Sequence, residues 1–280
     1  MLDTHAHTNF KDFKDDHAEV IRRALNNNIR LINVGSQYST SQRAVKIAND
    51  YDDGVYAAIG LHPIHLSEKI FRDEVSGQEE ITFEPRFEEF EKIKYLELGR
   101  NKKVVAVGEI GLDYFHNEDN REKQKEVFRQ QIDLAMELEL PIIIHCRDKN
   151  FDLKKSAHQD LIKILREKKE RFSGKLRGVV HCFSGGMNEA EIYTTMGFRL
   201  GFNGIITFTK DYDRIISSID LKNILLETDC PYLAPVPMRG KRNEPLFVRY
   251  VADKIALLKN MPVDIIEKET DKNARLLFGV

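Results

Sequence analysis

Pro141-Ile142-Ile143-Ile144-His145 is an unbroken apolar run that stops on an imidazole. A strand covered by helices on both faces reads this way, because neither side of it meets water. The same design recurs in Gly178-Val179-Val180-His181, and Ile224-Leu225-Leu226-Glu227-Thr228-Asp229 ends on a carboxylate instead. Outward from these three lie further short apolar or β-branched runs, Leu2–His5, Arg30–Val34, Val55–Ile59, Val104–Val107 and Arg199–Phe202. With Pro141–His145, Gly178–His181 and Asn223–Glu227 they predict eight strands. The segments between them carry the helical period: across Asn120–Leu140, Val127, Phe128, Ile132, Ala135 and Met136 recur at three-to-four spacing. Thr40–Tyr51 turns Ala44, Val45 and Ala48 inward, and 85–98, 244–259 and 263–278 also read as helices, with the acidic 70–82 as an inserted excursion. Strands alternating with helices belong to the α/β class, as a closed barrel or an open doubly wound sheet. The polar residues at the strand ends choose between them. They fall on the first, fourth, fifth, sixth and eighth strands, and only a closed ring brings the first beside the eighth. The prediction is one (β/α)8 TIM barrel spanning residues 1–280.

Composition sets the outer bounds. A chain of 280 residues with 41% hydrophobic and 31% charged residues suits one soluble α/β barrel. The amino terminus lacks the basic start and apolar run of an export signal, and no stretch reaches the roughly 20 apolar residues of a membrane helix, so a cytoplasmic enzyme is expected, or a nuclear one in a eukaryote. A net charge of −2 excludes a broad basic footprint for nucleic acid. Any such contact is local, and the densest basic candidate is Arg239-Gly240-Lys241-Arg242, on a loop after Pro231, Pro235 and Pro237. Arg239, Lys241 and Arg242 are therefore candidate substrate contacts. No glycine-rich phosphate loop follows any strand, which leaves a nucleotide cofactor without support. Cys146, Cys182 and Cys230 each follow a candidate site residue; strand alternation predicts that they face away from it, as small buried fillers.

His5 and His7 form a pair two apart, so both rings are expected on one side of the first strand. His145 and His181 each end an apolar strand, where barrel enzymes place their chemistry. Asp229 ends the last strand, and Glu109 follows Val104–Val107 after Gly108, which admits a close backbone approach. These six are the candidate metal ligands. A carboxylate can bridge two cations and an imidazole cannot, which makes Glu109 the expected bridge. Glu227, two before Asp229, and Asp113, after Glu109, are expected to support the ligands from behind. His17, His65, His116 and His158 read as ordinary surface histidines, and Arg147 as a phosphate contact or a partner of Asp148.

Six ordered blocks carry a resemblance: Asp3-Thr4-His5-Ala6-His7, Ile59-Gly60-Leu61-His62-Pro63, Gly108-Glu109-Ile110-Gly111-Leu112-Asp113, Pro141–Asp148, His181-Cys182-Phe183-Ser184-Gly185 and Glu227-Thr228-Asp229-Cys230-Pro231-Tyr232. Together they make the chain similar to the TatD family of metal-dependent deoxyribonucleases within the amidohydrolase superfamily. The resemblance implies a TIM barrel, two divalent metal ions and phosphodiester hydrolysis in DNA, often as an exonuclease from the 3′ end. It places the ligands on the same six residues and adds His62 as a phosphate contact. The chain departs from the pattern at Met238, where relatives commonly carry histidine.

The reaction expected from these residues is two-metal hydrolysis, with Asp229 taking the proton of the attacking water and His62 meeting the phosphate. A histidine-rich ligand set suits Zn or Mn, and a phosphate substrate brings hard oxygens that also admit Mg. DNA, single-stranded or at 3′ ends, is the expected substrate, with RNA as an alternative. A hydrolase of a small ester, amide or phosphate ester is the rival reading, and a non-catalytic metal-binding protein the rival of another class.

Overall fold

A parallel sheet of eight strands organises the chain in a computed structural model, which describes residues 1–67, 71–73, 81–83, 86–148 and 156–280. In chain order the strands are β1 (Leu2–Ala6), β2 (Arg30–Val34), β3 (Val55–Ile59), the short pair β4 (Phe71–Asp73) and β5 (Ile81–Phe83), β6 (Val104–Asp113), β7 (Ile142–Arg147), β8 (Gly178–Val180), β9 (Arg199–Phe202) and β10 (Ile224–Leu226). The sheet runs β1-β2-β3-β6-β7-β8-β9-β10, while β4 and β5 pair antiparallel with each other. It nearly closes into a barrel. At the seam Ala6 bridges Cys230, Asp229 N donates to His5 O at 2.8 Å and His7 N to Cys230 O at 2.9 Å. Side chains fasten the seam one layer lower: the Asp3 carboxylate accepts from Thr228 N at 2.9 Å and Oγ1 at 2.6 Å, and Thr4 Oγ1 donates to Leu226 O at 3.0 Å. The single-domain TIM barrel expected from the polar residues at the strand ends is the observed fold.

The helices are α1 (His17–Asn26), α2 (Tyr38–Asn49), α3 (Lys92–Gly99), α4 (Arg121–Glu137), α5 (Ala157–Arg171), α6 (Met187–Thr195), α7 (Asp213–Ser218), α8 (Val248–Lys259) and α9 (Val263–Phe278). Among the described residues none is long and apolar enough to cross a membrane. Alternation along each strand divides the apolar residues into two layers. Ile142, Ile144, Val180, Ile224 and Leu226 pack outward with helical residues such as Val127, Phe128 and Leu161. Ile143, Val179 and Leu225 point inward, where Ile32, Val34, Tyr56 and Ala58 join them and the end of α9 closes the floor with Ala274, Leu277 and Phe278. Each large side chain buried this fully is worth roughly 1.5–3 kcal/mol.

Several boundaries differ from the sequence expectation, and the strand expected at Val104–Val107 runs on to Asp113. The helix expected from Pro85 begins at Lys92, because the segment before it is tied down in extended form: Glu88 N donates to His65 O at 2.9 Å, and the Glu88 carboxylate accepts from Tyr38 N and the Tyr95 hydroxyl. Pro85 itself lies outside the described residues. Within the expected excursion, 71–73 and 81–83 form the β4–β5 pair, and residues 70 and 74–80 lie outside the described set. The last long helix before α9 starts at Val248 rather than Glu244, after a 3-10 turn at Pro245–Phe247.

Candidate metal centre

Two bulges aim the site. Between β1 and β2 the register moves from Asp3 opposite Leu31 to Ala6 opposite Asn33, so β1 carries one residue more than its partner. A bulge of this kind turns the strand locally and changes which side chains face in. Leu2 thus stays with the interior layer while His5 and His7 also reach the interior, which strict alternation from Leu2 denies. On β6 the register to β7 slips between Val107 and Ile110, both of which pack in the outer layer. The extra residue sends Glu109 inward. Gly108 is required there by space: a Cβ would stand 2.5 Å from the Ile143 Cβ.

The six expected ligands converge. Glu109 Oε1 lies 2.9 Å from His145 Nδ1 and 2.7 Å from His181 Nε2, whereas Oε2 faces His5 Nε2 at 3.5 Å and His7 Nε2 at 4.0 Å. Asp229 Oδ1 closes the second group at 3.4 Å from His7 Nε2 and 3.8 Å from His5 Nε2. Donors around a cation bound at about 2.1 Å stand roughly 3–3.5 Å apart, so both groups have the spacing of a metal shell. The chemistry of the set agrees. The two imidazoles of His5 and His7 meet nitrogen to nitrogen at 3.1 Å, and His181 Nε2 is buried beside Glu109 without hydrogen-bond geometry, arrangements that a cation between the donors would satisfy. His5, His7 and Asp229 on one side, and Glu109, His145 and His181 on the other, could each hold one ion.

Behind the candidate ligands, fixed partners choose which ring nitrogen faces the site. His7 Nδ1 lies 2.8 Å from the Val34 carbonyl, which can only accept, so Nε2 keeps its lone pair toward Asp229. His145 Nε2 lies 3.1 Å from Asp113 Oδ2, which turns Nδ1 to Glu109. His62 Nδ1 accepts from Ile64 N at 3.1 Å; its proton therefore sits on Nε2, 3.4 Å from Glu109 Oε1. Burial opposes charge throughout. Against it, His181 and His62 hold the Glu109 carboxyl well below its usual range, His116 and His145 do the same for Asp113, and His7 and His5 lower Asp229. Burial lowers His62 below its ordinary value, aided by His145, so His62 is a neutral donor at physiological pH. At His145 and His181 the carboxylates outweigh burial and raise the pKa.

Several residues exceeded or departed from the sequence reading. Asp113 stands behind His145 and also reaches His116, whose Nδ1 lies 2.7 Å from Oδ2. His116 is thus no surface histidine; its side chain is 7% exposed. His158 is also buried, with Nδ1 3.0 Å from the Tyr193 hydroxyl. His65 is pushed down to about 3 by burial and by His62. Cys146 and Cys230 fill the outer layer as expected, but Cys182, in a left-handed conformation at φ 42°, is only partly buried. Asp148 caps α5 through Ser156 Oγ and Ala157 N. In the basic loop Arg242 is already engaged: its guanidinium grips the Asp16 carboxylate and lies 4.2 Å over the Phe13 ring, so its charge is neutralised locally. Arg239 stacks at 4.0 Å on Phe208, and Lys241 is exposed. Gln124 and Gln131 were missed. Both lie on the buried face of α4, where Gln131 clamps Leu61 N and O beside His62 and Gln124 clamps Asp113 N and O. Their signal was legible: two amides seven apart on an otherwise apolar helix face.

With this geometry in hand, known proteins give a consistent frame. The TatD related DNase family model matches residues 2–279. The uncharacterized metal-dependent hydrolase YabD of Bacillus subtilis is 41% identical, with 100% of this chain and 99% of that protein covered. The 3′-5′ ssDNA/RNA exonuclease TatD of Erwinia amylovora is 31% identical over 100% of both chains. Among solved structures, YjjV, a TatD homologue from Escherichia coli, superposes with a TM-score of 0.82 at 29% identity, covering 100% of this chain and 98% of its own. The chain belongs to the TatD family of metal-dependent hydrolases.

Proposed function

We propose that this hydrolase is a two-metal exonuclease that removes nucleotides from the 3′ end of single-stranded DNA, with RNA as a further substrate. One observation carries the reading: the two oxygens of Glu109 are divided, Oε1 toward His145 and His181 and Oε2 toward His5 and His7. A carboxylate so divided suits two cations at once, with His5, His7 and Asp229 completing one shell and His145 and His181 the other. Zn, Mn or Mg bound there would supply Lewis acidity toward a phosphate oxygen and acidify the attacking water. Asp229, ionised and 15% exposed at its side chain, is placed to orient that water and receive its proton. His62 donates its Nε2 proton as a neutral hydrogen bond to the phosphate. Lys241 and Arg239 on the loop after Asp229 offer the few positive contacts that a chain of net charge −2 can give a strand.

The relatives named as 3′-5′ ssDNA/RNA exonucleases motivate the polarity and the choice of strand. A metal-reconstituted panel tests the proposal: a 3′-labelled DNA strand, a 5′-labelled one, an RNA strand, a generic phosphodiester and a set of small esters and amides. Stepwise shortening from the 3′ end is the expected result. Turnover of the esters or amides with intact strands would replace the nuclease with a small-molecule hydrolase.

A further inference from the structure

We infer that Glu227 is a single positioning residue for both halves of the metal centre, holding the proton on the far nitrogen of one ligand in each. The inference rests on the two-metal reading and follows by elimination. Each imidazole ligand needs a partner for the ring nitrogen turned away from the ion, because that partner fixes the tautomer and the ring angle. His7 has the Val34 carbonyl and His145 has Asp113. His5 and His181 remain. Their Nδ1 atoms are both buried without a hydrogen-bond partner, and so is one oxygen of a carboxylate beside them, Glu227 Oε2.

Glu227 fits the role by position. It is fully buried, and His5, His181 and Glu227 offer donor atoms within 4.8 Å of one another. The two rings stack face to face at 3.9 Å with 15° between their planes. Glu227 Oε1 is anchored by the Cys182 amide at 2.6 Å and stands 3.5 Å from His181 Nδ1. Room for Oε2 comes from Gly201, where a Cβ would lie 2.3 Å from that oxygen. His5 belongs with Asp229 and His7, and His181 with Glu109 and His145. Among the described residues Glu227 is therefore the one carboxylate grouped with ligands of both halves, whereas Asp113 serves His145 alone among the six.

Glu227→Gln tests this without changing shape. The amide oxygen keeps the Cys182 contact, so the NH2 group takes the place of Oε2 as a donor where His5 needs an acceptor, and His181 Nδ1 is left with a neutral oxygen already committed to the Cys182 amide. Calorimetric titration of the metal-free protein with Zn is expected to show both sites weakened by about 10- to 100-fold. Asp113→Asn should weaken one site only. Nitrogen-15 NMR of the Zn-loaded wild type should report protonated Nδ1 on His5 and His181, and Glu227→Asp should restore part of the loss. Should Gln unfold the chain, the NMR signature in wild type still decides, since unprotonated Nδ1 atoms would overturn the inference. Two ions in wild type with Glu227→Gln weakening one site or neither would also overturn it and leave the two-metal reading standing. A single ion in wild type would remove that reading itself.

Discussion

At the floor of the barrel, Ile32, Val34, Tyr56, Ile143, Val179 and Leu225 close around Leu277 and Phe278 in an apolar layer. Two to four residues further along the same strands, His145, His181, Glu227 and Asp229 crowd titratable groups into an interior almost as dry. The floor gains stability by excluding water. The rim spends some of it, since each ionised group there is desolvated and is tolerated only because its neighbours carry the opposite charge. A barrel thus separates its two tasks along its axis, and substitutions at the two ends should fail in different ways.

The largest effect is expected at the centre of the rim. Glu109→Gln removes the charge that the two proposed shells would share while keeping the side-chain shape, so turnover should fall by at least about 1,000-fold, in the range of losing a principal electrostatic contributor. Thermal unfolding of the metal-free variant should begin below the wild-type temperature, because Gln leaves the buried imidazoles of His145 and His181 without the carboxylate that offsets their burial. Retained turnover would take Glu109 out of the site. Next comes His62→Ala, which should lower phosphodiester turnover by roughly 10- to 1,000-fold at saturating metal and alter ester hydrolysis little. DNA cleavage within twofold of wild type would end the phosphate role of His62.

The floor should behave in the opposite sense. Phe278→Ala is expected to cost about 3–5 kcal/mol of unfolding free energy, measured by denaturant titration. Turnover well below the melting temperature should stay within about twofold, and a larger loss would show that floor and rim are not separable. The smallest effect belongs to the loop. Lys241→Ala should reduce the slope of log affinity against log salt for a DNA strand by about one, and Arg242→Ala should leave that slope unchanged because Asp16 already neutralises the guanidinium. Equal changes in both variants would place Arg242 on the strand.

Sequence alone carried the floor and much of the rim, for a definite reason. Apolar runs ending in histidine or aspartate, as at His145, His181 and Asp229, expose both the strand and the polar residue that terminates it. What it could not carry was anything set by an extra residue in a ladder. All five residues of β1 and all ten of β6 are buried, so no alternation marks the bulges that aim His5 and Glu109. Partners remote in sequence were equally hidden: nothing in the chain announces that Arg242 meets Asp16, that Asp113 sits between His145 and His116, or that Glu88 holds the approach to α3 extended. Those contacts exist only once the barrel has brought separate loops to one rim.

The most direct test of the central claim is anomalous diffraction from crystals of this protein soaked in manganese. Two peaks should flank Glu109, one among His5, His7 and Asp229 and the other between His145 and His181, with one oxygen of Glu109 on each. A single peak, or two peaks that leave Glu109 outside both shells, would contradict the account.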